Sequence, residues 1–178
     1  MVVSRASIRL LALSLLVAVG AASAHGPTRQ KVVEQVTIAA PPDQVWALVG
    51  GFDALERWHP AVASSKADHG NDEGSVRDVQ FKNGRSLSEK IEGYDGAGMK
   101  VRIRAKDGGA LPVTNYTSQI SVTAADGGGS VVEWRGAFYR GYPRNDPPPD
   151  QTDEVAVAAV TEFYRSGLAG LKALAEHH

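Results

Sequence analysis

Apolar residues at Val36 and Ile38 alternate with polar neighbours, the period of a half-buried strand, and Pro41-Pro42 ends that run while presetting a first helical turn. Val45, Trp46 and Val49 then form an apolar stripe at helical spacing, and Gly50-Gly51 closes the helix. Phe52 to Arg57 reads as a second short helical turn that Pro60 forbids from continuing, so Trp58 and His59 are held at a corner. Beyond it the chain alternates strand candidates with turn residues: Val62 to His69, Ser75 to Phe81, Ser86 to Tyr94, Met99 to Lys106, Val113 to Ala124 and Val131 to Tyr139. Asn83-Gly84 predicts a type I′ hairpin, whose two central residues need positive φ. The proline-rich segment Gly141 to Asp150 is neither helix nor central strand and reads as a connecting loop, with a role as a lid left open. After it, Asp150 is the expected N-cap of a helix running to about Ala175, with an apolar face of Val155, Ala159, Phe163, Leu171 and Leu174. The order of elements predicts an α+β fold, a curved antiparallel sheet wrapped around a long C-terminal helix, with two short helices after the first strand.

Strand alternation sorts the candidate faces. In MKVRIRAK, Met99, Val101 and Ile103 point one way, and Lys100, Arg102, Arg104 and Lys106 form a basic row on the other, read as the solvent side or as an anion-binding stripe. Leu87 and Ile91 place Glu89 on the core-facing side, where an acid meets a cation, holds a proton, borders a wet cavity or escapes at a twisted edge. Tyr116, Ser118, Ile120 and Val122 share a face, as do Val132, Trp134, Gly136 and Phe138, and these rows form the inner wall of either a pocket or a packed core. His59 is either a ligand-bonding or proton-relaying group with Glu89, or a corner histidine bonded to backbone. Gly167 and Gly170 inside the last helix serve either close approach to the sheet or room for a bound molecule.

Residues 1 to 24 combine Arg5 and Arg9, an apolar run from Leu10 to Val19 and Ala22-Ser23-Ala24, the pattern of a cleaved secretory signal. That leaves residues 25 to 178 as one domain in a periplasmic or secreted protein, with no later segment for the membrane. The absence of cysteine excludes disulfides, thiolate nucleophiles and zinc thiolate sites. Net charge is −1, falling to about −3 once Arg5 and Arg9 are removed, which argues against a nucleic-acid partner. Cleavage makes His25 the first residue, with an amine and imidazole that chelate copper only if a second histidine completes the site; none is placed, so no metal is expected and no cofactor motif occurs.

The stretch APPDQVWALVGGFDALERWHPAV resembles the opening of START-like proteins of the SRPBCC superfamily, of the polyketide cyclase/dehydrase type. The resemblance continues through Gly74 to Arg77, Leu87 to Glu92, Pro112 to Tyr116, Trp134 to Phe138 and the last helix, and is strongest to the periplasmic MxaD type. It implies a START-like helix-grip fold around a hydrophobic cavity. It also implies an accessory role near methanol oxidation, beside a periplasmic dehydrogenase or cytochrome. The expected function is to hold a small apolar or aromatic ligand, or a partner's surface element, between sheet and helix. Trp58, His59, Glu89, Tyr116, Ser118, Trp134, Phe138 and Phe163 are the candidate ligand-binding residues. The alternative is a cyclase or dehydratase in which His59 and Glu89 exchange protons with a polyketide-like substrate. A third reading is a protein-binding module with a filled core. A hollow above about 300 Å³ beneath the last helix favours the first reading, and a solid interior favours an accessory module.

Overall fold

The computed structural model describes residues 26–177. The expected signal segment, His25 and His178 lie outside the described residues. Nine residues, Gln30–Ile38, form β1; Pro42–Val49 is α1 and Leu55–Trp58 is α2. Strands β2 (Val62–Ala67), β3 (Val76–Phe81), β4 (Ser86–Asp95), β5 (Lys100–Ala105), β6 (Val113–Ala124) and β7 (Ser130–Arg140) precede α3, Asp153–Glu176. All pair antiparallel in one sheet of order β1-β7-β6-β5-β4-β3-β2, so the chain meanders from β2 to β7 and β1 closes against β7. Its concave face packs on α3, which lies over β1 and β7 and touches α1 and α2. This is the helix-grip architecture expected from the order of elements.

The Asn83-Gly84 turn differs from expectation. Gly84 takes φ +82°, whereas Asn83 is not among the residues with positive φ, and Phe81 N–H bonds Arg85 O at 2.9 Å. The loop therefore has three residues rather than the two of a type I′ turn. Inward-facing Arg77 and Val79 must oppose inward-facing Glu89 and Leu87, and a two-residue turn would slip the ladder by one and set inward residues against outward ones. The observed register pairs Val79 with Leu87 and Arg77 with Glu89.

The terminal helix also shifts. Its N-cap is Thr152 rather than Asp150, since Gln151 N–H closes a turn on Pro148 O at 2.9 Å and Thr152 Oγ1 accepts from Val155 N–H. The buried face runs Ala156, Val160, Phe163, Tyr164, Gly167 and Leu171. Val155, Ala159 and Leu174, expected to face the core, are half-buried. The buried stripe carries Phe163, Tyr164, Leu168 and Leu171, and Ala156 and Gly167 between them let the backbone come close. A Cβ on Gly167 would lie 2.6 Å from His59 Cδ2, and one on Gly170 would lie 2.1 Å from the Trp58 carbonyl oxygen. Both glycines serve contact between helix and corner.

Candidate functional site

The corner at residues 58 to 60 sets the site. Pro60 disfavours helical backbone at the residue before it, and His59 accordingly takes ψ 114° while its N–H still caps α2 on Leu55 O. Trp58 and His59 are driven beneath α3, 6% and 1% exposed. His59 Nε2 lies 2.9 Å from Phe163 O, and Nδ1 accepts from Ala61 N–H at 3.2 Å. Only the neutral tautomer protonated at Nε2 satisfies both bonds. Burial, which strips water from the cation, lowers its pKa from 6.5 to about 4, and the charges of Arg77 and Lys82 push the same way.

Aromatic rings fill the trough around this corner. His59 stacks on Phe163 with centroids 4.4 Å apart, Trp134 stacks on Tyr164 at 4.4 Å, and Trp58 meets Trp134 edge-on at 5.6 Å. Tyr116 shares a 2.7 Å hydrogen bond with Tyr164 and packs 6.3 Å from Phe138. Burial, and then the charge of Glu89, push the Tyr116 hydroxyl far above its ordinary range, so it stays a protonated hydrogen-bonding group.

Glu89 is 2% exposed, and one of its carboxylate oxygens accepts from Arg77 Nε at 2.7 Å with a terminal nitrogen of the same guanidinium in ion-pair contact at 2.6 Å. The other terminal nitrogen of Arg77 donates to Phe52 O at 2.6 Å, and the guanidinium lies 4.5 Å from the Phe52 ring centroid. Glu89 is thus one half of a buried ion pair, clamped through Arg77 to the loop between α1 and α2. It makes no hydrogen bond to His59. Those two residues, named together for proton transfer, sit in separate bonding sets, each with its partners in place.

Beside the corner the open space is a cavity of about 30 Å³, room for a water or two, while a separate hollow of about 330 Å³ opens under the start of α3, between Leu111, Val113, Tyr142 and Val155. The cavity at the corner lies far below the roughly 300 Å³ of an ordinary ligand pocket. Val49, Phe52 and Leu55 wall it on one side, and Val101, Ile103 and Ile120 on the other. Trp58, Arg77, Ser118 and Trp134 supply its polar and aromatic rim. Ser118 Oγ accepts from Trp134 Nε1 at 3.4 Å, whereas Trp58 Nε1 is buried with no partner. Of the expected ligand-binding residues, Trp58, Ser118 and Trp134 border this cavity. His59, Tyr116, Phe138 and Phe163 belong to the packed wall beside it, and Glu89 stands behind Arg77.

Arg77 and Tyr164 are the residues that sequence reasoning left without a role. The signal for Arg77 was its alternation with Val79 and Phe81. The signal for Tyr164 was its place beside Phe163, on a stripe obscured by glycine and alanine.

Residues 29–176 match the family described as polyketide cyclase/dehydrase and lipid transport. The chain belongs to this family. Among solved structures it is similar to the protein XoxI of Bacillus cereus, with 30% identity over 81% of this chain and 94% of that one and a TM-score of 0.69. An aromatase/cyclase of Streptomyces sp. R1128 shares the fold at 18% identity, covering 84% and 95% of the two chains with a TM-score of 0.70. Norcoclaurine synthase of Thalictrum flavum, solved with dopamine and hydroxybenzaldehyde, shares it at 16% identity over 97% and 98%, with a TM-score of 0.66. No curated protein matches the chain. Family membership joins this polyketide cyclase/dehydrase protein to ligand-binding and cyclase-type relatives.

Proposed function

We propose that this polyketide cyclase/dehydrase family protein is an exported binder of a small aromatic or apolar molecule that carries a hydrogen-bond acceptor. The observation that carries the reading is the unpartnered, buried indole N–H of Trp58 beside a small cavity. A buried donor without a partner costs about 1–3 kcal/mol. The other polar groups at the rim are engaged: Ser118 Oγ accepts from Trp134 Nε1, and the Arg77 guanidinium serves Glu89 and Phe52 O, so the one nearby carboxylate is consumed. The matching guest is an acceptor: its carbonyl or phenolic oxygen fills the small cavity, and its ring is admitted by outward movement of the Val49, Phe52 and Leu55 wall. Arg5, Arg9 and the Ala22-Ser23-Ala24 triplet support export.

Acetophenone and its isostere α-methylstyrene, which lacks the acceptor, test the site. Acetophenone is expected to move the Trp58 indole N–H resonance, assigned with Trp58→Phe, and to bind several-fold more tightly than the isostere. No binding of either compound, with the indole signal unmoved, overturns the reading.

A second reading rests on how full the trough is. With so little open volume at the corner, a helper that works by surface contact, beside a periplasmic dehydrogenase or cytochrome as the MxaD resemblance implies, needs no guest there. It is the reading left standing if neither probe binds.

A further inference from the structure

The convex face of the sheet, away from α3, carries a charge pattern that the fold does not require. Lys100, Arg102 and Arg104 project there from β5, and Lys90 of β4 stands directly opposite Arg104. Like charges opposed across a ladder are destabilising, and the Glu92 carboxylate that pairs with Arg104 offsets only part of that cost. Arg135 of β7 and Arg102 both stand opposite Gln119 of β6, one on each side, about 10 Å apart at two strand spacings. Glu92 pairs with Arg104, and Glu133 lies 3.9 Å from Arg135. Among the described residues, Lys31, Lys90, Lys100 and Arg102 have no carboxylate partner, and Arg102 reaches only the carbonyl of Glu92 at 3.2 Å. In a chain of net charge −1, positive charge is gathered on one face.

Between these cations, Thr117 and Ala137 are too short to fill the surface and leave an open hollow of about 450 Å³. Val33 of β1 lines it and is 56% exposed, the one large hydrophobic side chain exposed among the described residues. An apolar centre ringed by arginine is the composition of a protein interface, and cations spread over several strands exceed the reach of one small anion.

We propose that this face docks an acidic partner protein, whose carboxylates pair with Arg102, Arg135 and Lys31 while an apolar side chain covers Val33. The proposal is independent of the guest in the trough, which lies on the opposite face of the sheet.

The probe is a blocked decapeptide of glutamate and aspartate with one central leucine, titrated into the isotopically labelled protein at low salt and at 200 mM NaCl. Its shifts are expected on the outward residues of β5, β6, β7 and β1, with affinity falling about tenfold at the higher salt. Arg102→Glu with Arg135→Glu should weaken binding at least tenfold, and Arg57→Glu, on the exposed surface of α2, less than twofold. Exchanging the central leucine for glycine should weaken binding to the native protein and leave a Val33→Ser variant unaffected. If the double reversal perturbs folding, the same ranking is read from Arg102→Gln with Arg135→Gln. Shifts scattered over the surface, equal losses in Arg57→Glu, or tighter binding of a single-stranded oligonucleotide to the same residues would each overturn the proposal.

Discussion

At neutral pH His59 is uncharged, holding Phe163 O through Nε2–H and receiving Ala61 N–H at Nδ1. Protonating Nδ1 would turn that acceptor into a donor facing another donor. Burial, with the nearby cations Arg77 and Lys82, therefore lowers its pKa from 6.5 to about 4. Between those values the unfolded chain binds a proton that the native chain refuses, so stability rises with pH across the interval. The contribution is complete above about pH 6.5 and is lost as pH falls toward 4. At about 1.4 kcal/mol per pH unit the whole gap is worth about 3 kcal/mol, of which about 2.5 kcal/mol is gone by pH 4.5. Urea unfolding at pH 7.0 and 4.5, compared between the native protein and His59→Gln, isolates this residue. Glutamine keeps one donor and one acceptor but cannot titrate. The carboxyl of Asp68, held near 2 chiefly by the Val76 backbone N–H, acts with the same sign but only below its ordinary value of 3.8, outside the measured range. The native protein should lose about 2.5 kcal/mol more than the variant on acidification. Equal losses, or an imidazole resonance that titrates near 6.5, would refute the account of the corner.

Gly170→Ala should destabilise the protein by about 2 kcal/mol or more in thermal or urea unfolding, because the new Cβ meets the Trp58 carbonyl oxygen, a backbone atom with no rotamer to yield. Helix propensity alone predicts a gain of about 1 kcal/mol, so the sign decides between the two effects. Glu89→Gln should cost about 3–5 kcal/mol by leaving Arg77 buried without its counter-charge, while Arg77→Met with Glu89→Leu should recover most of that loss. A double variant as unstable as the single one would show that the pair contributes more than its replacement by packing can supply.

The sequence made the architecture legible because its punctuation is strong: a Pro-Pro start, a Gly-Gly stop, a proline after the corner and turn residues between alternating strands. The inner rows of β6 and β7 emerge from period-two counting, since Tyr116, Ser118 and Trp134 all face inward as that count requires. Single-strand counting cannot choose a partner across the ladder. Glu89 was readable as an acid on an apolar face, but its cation depends on a one-residue choice of loop length, visible only when the inward rows of β3 and β4 are matched together. The buried face of α3 was read in part: Phe163 and Leu171 lie on it, whereas Val155, Ala159 and Leu174 stand at its half-buried edge. Counting apolar side chains reaches Val155 and Leu174, whereas the packed stripe also needs Ala156 and Gly167, small residues that such a count passes over. Cavity volume was not legible at all, because it is the small remainder after large rings have interlocked.

Those interlocked rings tie the site to the fold through a single turn of chain. Pro60 fixes the backbone of His59, His59 holds α3 at Phe163, and Gly170 lets the same helix rest on the carbonyl of Trp58. The indole of Trp58 is thereby carried to the edge of the remaining cavity with its N–H unpaired, although other buried donors nearby, such as Trp134 Nε1, have partners. Natural cores leave few buried polar groups unsatisfied, because each one costs stability. Here the backbone constraints that seat the helix also position the orphan donor, so it cannot be relieved by a local rotation of the corner without releasing α3. Under the proposed function, an acceptor arriving from outside would satisfy the indole while leaving those constraints intact.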